Sequence, residues 1–420
     1  MSYNVVGKSF SRNDAALQVT GKIQYGDDYT RPDLLYAKIL RSQHAHAKIL
    51  KIDTSKAEQL GGVKAVITAK DVPHNRYGFT HQDQPILADD KVRYFGDAVA
   101  AVAATSREAA EEAIRLIQVD YEPLPALFDP REAMKADAIK IHGNSNIATH
   151  LKIRNGDVEQ GWKESDFIFE EEISTQMVEH AHIEPHVAIA EMAASGELVV
   201  HSSVQRLFLI ASDLAKILKM PINKIHVVTT TVGGGFGGKN EISMEPHISL
   251  LAMKTGKPVK IVYTREDEFE ASTVRHPYRT RYKSGLKKDG TLVAREVEIV
   301  SDCGAYVSWG ESTLTKASVH AAGPYRIPHV KIDGFLVYTN KPVGGAMRGF
   351  GVTQLGFTYE VHMDTLAAEM GLDPVEFRMK NLLVDHNSLP TGQVVDVVTL
   401  KECMQRAVEV GGWKKEVQLV

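Results

Sequence analysis

The segment of this chain with most chemical potential is Thr231-Val-Gly-Gly-Gly-Phe-Gly-Gly-Lys239-Asn240. Glycines let a backbone close on a ligand, and a helix following them offers free N–H donors to an anion. Gly233, Gly235 and Gly238 fit the G-x-G-x-x-G spacing of a dinucleotide loop. Gly233, Gly238 and Lys239 nearly fit a phosphate-cradling P-loop, but Asn240 stands where Ser or Thr should hold magnesium. Both matches are weak, because five glycines among residues 233–238 fit almost any glycine pattern. The acids a dinucleotide ribose would need, Glu266 and Asp267, also arrive late after the next strand. The bland alternative is a tight turn needing positive φ. A phenylalanine among the glycines speaks for a ring aimed at something.

A second loop resembles the first: Pro342-Val-Gly-Gly-Ala-Met-Arg348-Gly-Phe350-Gly351. Its arginine either binds an anion or is a surface residue of a turn. Two such loops in one domain favour a large polyanionic cofactor. His180, His182 and His186 would share one face of a strand, from which a zinc site could be built.

The elements that must carry these loops are legible in outline, and the fold class expected is α/β, of mixed α+β type. Apolar runs at Ala37–Leu40, Ala47–Ile52 and Ala65–Ile67 read as strands. Thr105 and Glu108 have capping-box spacing ahead of a stripe of Ala109, Ala110, Ala113, Ile114 and Ile117. The two prolines of Tyr121–Ala126 suit a boundary, giving units 1–126 and 127–420. Further on, Leu207, Ile210, Ala211, Leu214, Ile217 and Leu218 form one helix face, ended by Pro221. Ile225–Val232 reads as a buried strand leading into the first glycine loop. Ile242–Met253 reads as a helix, Val259–Tyr263 as a strand and Gln354–Ala368 as a helix. Asp373 before Pro374 suits an N-cap and first helical position.

Composition bounds the function. The 420 residues are 43% hydrophobic and 24% charged, which excludes disorder and fibrous classes. A formal net charge of −4 argues against nucleic acid as a partner. Cys303 and Cys403 are the only thiols, too few for an all-cysteine iron–sulfur cluster, an all-cysteine zinc site or a disulfide framework. No apolar run approaches the ~20 residues of a membrane span, and Met1–Lys8 lacks the pattern of a leader. The expectation is a cytoplasmic, reduced protein.

Several segments, in this order, resemble the molybdenum-binding subunit of the xanthine dehydrogenase and aldehyde oxidase family of molybdenum hydroxylases. Val19–Lys22, Leu35–Ser42 and Val92–Asp97 are similar to its N-terminal hammerhead-like domain. His182-Ile-Glu-Pro-His186, Gln205, Gly233–Lys239 and Ala346–Gly351 are similar to its first cofactor-binding domain. The resemblance outweighs the nucleotide readings, and the histidine segment matches a family strand and turn with no metal role.

The resemblance implies the following roles. Gln205 would hydrogen-bond an oxo ligand of molybdenum, while Gly235, Phe236 and Gly237 bring main-chain N–H groups to the cofactor. Arg348 would lie beside the metal by its main chain, so Gln205, Phe236 and Arg348 approach molybdenum without ligating it. Phe236 and Phe350 would flank a flat ring. Asn240 and Lys316 would stand where purine-oxidising members carry a glutamate and an arginine, a change that favours an anionic ring substrate.

The family's general base, in a Gly-x-Gly-Glu segment, has no counterpart here. The implied assembly therefore has a second molybdopterin subunit carrying the base, an iron–sulfur subunit with 2Fe-2S centres and an FAD subunit. This chain would be the large of two molybdopterin chains. The implied cofactor is molybdopterin cytosine dinucleotide with a terminal sulfido or selenido ligand. The implied reaction is hydroxylation of an electron-poor N-heteroaromatic ring by water, nicotinate to 6-hydroxynicotinate. Alternatives are an aldehyde, a purine or an aryl-CoA substrate, a nucleotide-binding protein, or a non-catalytic cofactor scaffold. No proton-transfer residue is expected in this chain.

Overall fold

A computed structural model describes residues 3–413; residues 1–2, at the start of the segment read for a leader, and 414–420 lie outside it. The first 126 residues supply β1 (Leu35–Arg41), β2 (Ala47–Asp53), β3 (Val63–Thr68), β4 (Lys91–Val92), β5 (Ala98–Ala104) and β6 (Gln118–Pro123). After them come β7 (Ile147–Asn155), β8 (Phe167–Ser174), β9 (Val187–Met192), β10 (Leu198–Ser202) and β11 (Ile225–Thr229). The last strands are β12 (Val259–Val262), β13 (Tyr278–Leu286), β14 (Leu292–Gly304) and β15 (His329–Tyr338). The helices that matter here are α1 (Arg107–Leu116), α2 (Leu207–Leu218), α3 (Glu245–Thr255) and α4 (Arg265–Ala271). They are followed by α5 (Gly310–His320), α6 (Val352–Glu369) and α7 (Pro374–Asn381). Among the described residues, no helix is long and apolar enough to cross a membrane.

Two large sheets carry the site. The seven-stranded sheet runs β11-β10-β9-β12-β1-β5-β3, so it draws strands from both sides of residue 126. The junction is a parallel pair, Leu35 opposite Val259 and Tyr36 opposite Lys260. One core backs this sheet, with Leu35, Ile39, Ile67 and Ala101 packed together with Val200, Leu214, Leu251 and Ile261. The five-stranded sheet runs β7-β15-β14-β13-β8. A second core lies on it, where Tyr278, Val297 and Leu336 meet Leu314 of α5 and Leu355, Met363 and Leu366 of α6. A small sheet, β4-β2-β6, completes the N-terminal part, and Pro123 ends its edge strand, where the missing N–H does no harm.

Several expectations are corrected. The N-cap of α1 is Ser106, whose side chain accepts from Ala109 N–H, not Thr105. The strand expected over Ile225–Val232 ends at Thr229 and lies at the sheet edge, with only Ile225 buried. Its apolar run reflects β-propensity rather than burial on both faces. Helix α3 starts at Glu245 rather than Ile242, which puts Pro246 in its first turn. His180 and His182 lie on irregular backbone rather than a strand, with Ala181 at φ +50°. Asp373 caps α7 as expected, accepting from the N–H groups of Val375 and Glu376.

Candidate cofactor-binding site

The first glycine loop leaves β11 and leads to α3; the second leaves β15 and leads to α6. Each loop therefore hangs from a different sheet, and the two meet. Arg348 N–H donates to the Phe236 carbonyl at 2.8 Å. Gly237, at φ +109°, lies against the Ala346 carbonyl so closely that a Cβ there would collide with it. Only glycine satisfies both the angle and the approach. Arg275 Nη2 donates to the Arg348 carbonyl at 2.9 Å and holds the second loop from behind.

Gln205, on the exposed entry to α2, closes the group. Gly237 N–H donates to its Oε1 at 2.9 Å, and its own N–H donates to the Lys239 carbonyl at 2.8 Å. Gly235 lies directly under the side chain, where a Cβ would come within 2.6 Å of Oε1. Because Oε1 is held by a donor, Nε2 is the end left to donate outward. The N–H groups of Gly234, Gly235 and Phe236 find no acceptor among the described residues, and Gly235 is buried. Buried N–H groups are seldom left unpaired, so Gly235 N–H fits an acceptor on a ligand, with the more open N–H groups of Gly234 and Phe236 on either side of it.

Phe236 and Phe350 both hold left-handed backbone, at φ +51° and +52°, a strained conformation for an aromatic residue. Phe236 is 48% exposed and Phe350 is half-buried. Their rings make no contact with each other; Phe350 meets Trp309 edge-on, with centroids 6.1 Å apart. Asn240 is half-buried at the end of the first loop. Lys316 is exposed on α5, the helix that packs against the second loop at Gly351.

Buried charge supports the loops from below. Glu184 is the hub: one oxygen accepts from Gly233 N–H at 2.7 Å and Lys239 Nζ at 2.9 Å, the other from Gly26 N–H at 3.1 Å. Lys239, the lysine of the P-loop-like pattern, has a fully buried side chain. Burial holds its pKa below the usual lysine value, against the pull of Glu184. Its ammonium is already neutralised inside the protein, so it cannot reach a phosphate, and the P-loop reading fails. The dinucleotide reading fails too, because the glycines are separated from the start of α3 by residues 239–244. That start is held by Glu245, which accepts from Ser243 N–H and Ser202 Oγ at 2.8 Å each.

Two of the three histidines turn out to be braces, while neither ring nitrogen of His182 has a hydrogen-bond partner among the described residues. His180 Nε2 donates to the Ala346 carbonyl at 2.8 Å, and His186 Nε2 to the Gly238 carbonyl at 3.2 Å, so each props a glycine loop. His186 Nδ1 lies 2.9 Å from both oxygens of Glu268 on α4. Burial pushes the Glu268 carboxyl up, but the His186 charge and hydrogen bonds outweigh it and hold the group at about 2. His182, His186 and Glu268 form the cluster with metal-binding geometry among the described residues. His186 Nδ1 is engaged by the Glu268 carboxylate and its Nε2 by the Gly238 carbonyl, so in this structure the cluster is held together by hydrogen bonds.

Glu241 ties the first loop to the head of α5, with Ser308 Oγ 2.8 and 2.7 Å from its two oxygens. Burial lifts its carboxyl to about 7, against the Ser308 hydrogen bond. A cavity of about 50 Å³ lies beneath, lined in part by Arg41, His186, Gly238 and Glu241. It has room for a few waters and not for a pterin, so the open side of the loops is the face for a ligand.

The structure thus joins Gln205, Gly235, Phe236, Gly237 and Arg348 in one contact network, with Phe350 following on the second loop. Sequence reasoning missed Glu184, Glu241 and Glu268 as supports. Glu184 had a signal, lying inside the quoted His182–His186 motif; the other two make contacts that span long stretches of chain.

Residues 141–382 match the molybdopterin cofactor-binding domain family. Residues 20–125 match the aldehyde oxidase and xanthine dehydrogenase a/b hammerhead domain. The chain is 39% identical to the nicotinate dehydrogenase large molybdopterin subunit of Eubacterium barkeri, over 98% of this chain and 99% of that one. It is 32% identical to the xanthine dehydrogenase molybdenum-binding subunit of Escherichia coli O157:H7, over 96% of this chain and 56% of that one. Aldehyde oxidoreductase from Desulfovibrio gigas superposes with a TM-score of 0.91 at 33% identity, covering 95% of this chain and 46% of that one. The chain therefore spans nearly all of the first relative and about half of the other two.

Proposed function

The chain belongs to the aldehyde oxidase and xanthine dehydrogenase family of molybdopterin-binding oxidoreductases, and from that premise we propose that it is the large molybdopterin chain of a multi-subunit hydroxylase acting on an electron-poor N-heteroaromatic ring, with nicotinate as substrate and 6-hydroxynicotinate as product. The observation that carries the reading is the Gln205 amide, fixed by Gly237 between two touching glycine loops beside unpaired main-chain N–H groups. Gln205, Gly235, Phe236, Gly237 and Arg348 would hold the molybdenum pterin. When bound, that cofactor supplies a two-electron acceptor and delivers oxygen drawn from water.

This chain's residues position rather than transfer protons. Gln205 would donate through Nε2 toward the metal's ligands, and the loops would hold the pterin. Phe236 and Phe350 flank a planar ring, each from its own loop. Asn240 and Lys316 would border the same pocket, where a neutral amide and a cation would favour an anionic substrate over a purine. The rest of the proposal lies outside this chain: a partner molybdopterin subunit with the general-base glutamate, 2Fe-2S and FAD subunits, a cytosine dinucleotide form of the cofactor and a cytoplasmic location. The division at 126 into a hammerhead domain and a cofactor domain belongs to the same proposal.

The test is molybdenum content and hydroxylation of nicotinate in ¹⁸O-labelled water, using the complex purified from its native source. About one molybdenum per chain, with label in the product, is the expected result. Molybdenum without nicotinate turnover, but with oxidation of an aldehyde, a purine or an aryl-CoA, would overturn the substrate. An intact complex lacking molybdenum would overturn the reading itself.

A further inference from the structure

Beside Gln205 the structure holds a wall made of rings and one cation. Trp309, buried at the N-terminus of α5, is its centre. Phe79 of the N-terminal part stacks on it, centroids 4.0 Å apart and 25° between planes. Phe350 meets it edge-on from the second glycine loop. The guanidinium of Arg206, the residue after Gln205, lies over the indole 5.0 Å from its centroid.

Arg206 is exposed, and among the described residues its guanidinium has no ion pair and no hydrogen-bond acceptor. A cation on an indole face is restrained without being neutralised. Its planar fork stays free to take both oxygens of a carboxylate. Lys316, the other cation of the region, has no ring or acid to fix it among the described residues.

We propose that Arg206, seated on Trp309 one ring away from Phe350, is a specificity-determining residue that receives the carboxylate of an aromatic acid whose ring lies against Phe350. This rests on the reading of the site as one for heteroaromatic substrates. It deepens that reading by naming the residue that selects the carboxylate of the aromatic substrate.

The experiment is calorimetric binding of pyridine-3-carboxylate and of the neutral pyridine-3-carboxamide to the purified, cofactor-loaded complex, wild type and Arg206→Gln. The wild type should prefer the carboxylate. In Arg206→Gln the carboxylate should weaken on the order of 10–100-fold while the carboxamide stays within about twofold, as expected for one charge-assisted pair. In turnover the loss should fall on KM rather than kcat, and Arg206→Lys should recover part of the preference. Equal weakening of both ligands, a preference that survives Arg206→Gln, or a preference abolished only by Lys316→Gln would overturn the assignment. So would dissociation of the complex in Arg206→Gln, which would make Arg206 an interface residue. A carboxylate preference that is lost in Arg206→Gln, in a complex that does not hydroxylate the carboxylate, would uphold Arg206 and refute the activity. A wild type that hydroxylates neutral rings without preferring the carboxylate would do the reverse.

Discussion

Gln205 works through the direction of its amide. Its oxygen is occupied by Gly237 N–H and its nitrogen is free, so replacing it by glutamate keeps the loop contact and removes the donor. Gln205→Glu should lower turnover on the order of 10–100-fold, with subunit association on gel filtration unchanged; equal loss of both would refute a role at the cofactor. Gly235→Ala tests the same contact from below, since the new Cβ would meet Oε1 at 2.6 Å. It should cut molybdenum retention after desalting while costing on the order of 1–2 kcal/mol or less in urea unfolding. The loops and Gln205 were legible in the sequence through their resemblance to a family, and the glycine spacing alone was not decisive. Glu241 and Glu268 were illegible as supports because their partners, Ser308 and His186, are far away in the chain. No local pattern announces such a pairing.

At the scale of elements, helix caps differ in how plainly the sequence marks them. Asp373 was legible because Asp before Pro leaves little choice but a helix start; Asp373→Ala should lower stability by about 1 kcal/mol in thermal unfolding. The α1 cap shifted from Thr105 to Ser106: two adjacent hydroxyl residues compete, and serine is the stronger N-cap of the pair. The edge position of β11 was hidden for another reason: pairing on one side only is a property of the sheet, not of the strand. Glu241, which joins the first loop to the head of α5, carries a pH signature. Its folded carboxyl titrates near 7, well above the 4.5 of an unperturbed glutamate. The folded state therefore holds a proton that the unfolded chain releases, and stability falls as pH rises from about 4.5 to 7. Glu241→Gln should flatten that fall and stabilise the protein at about pH 8 by on the order of 1–3 kcal/mol, read from urea midpoints across pH.

For the whole molecule, the defining fact is the sheet shared across residue 126. Local apolar runs showed that strands exist in both parts; that β12 would pair with β1 needed the third dimension. Residues 127–420 expressed alone should aggregate, because β12 loses its neighbour and Val259 and Ile261 lose the core they share with Leu35 and Ile39. Co-expression with residues 1–126 should restore solubility, measured by sedimentation of the lysate and by light scattering. Glu184 shows what that architecture means for biogenesis. Its carboxylate joins Gly26, Gly233 and Lys239, three points spread over more than half the chain. A nascent polypeptide meets the first of these early and the last two much later, so the cradle takes shape only after synthesis has passed the middle of the chain. Loading of a ligand on this cradle therefore cannot precede synthesis of more than half of the chain.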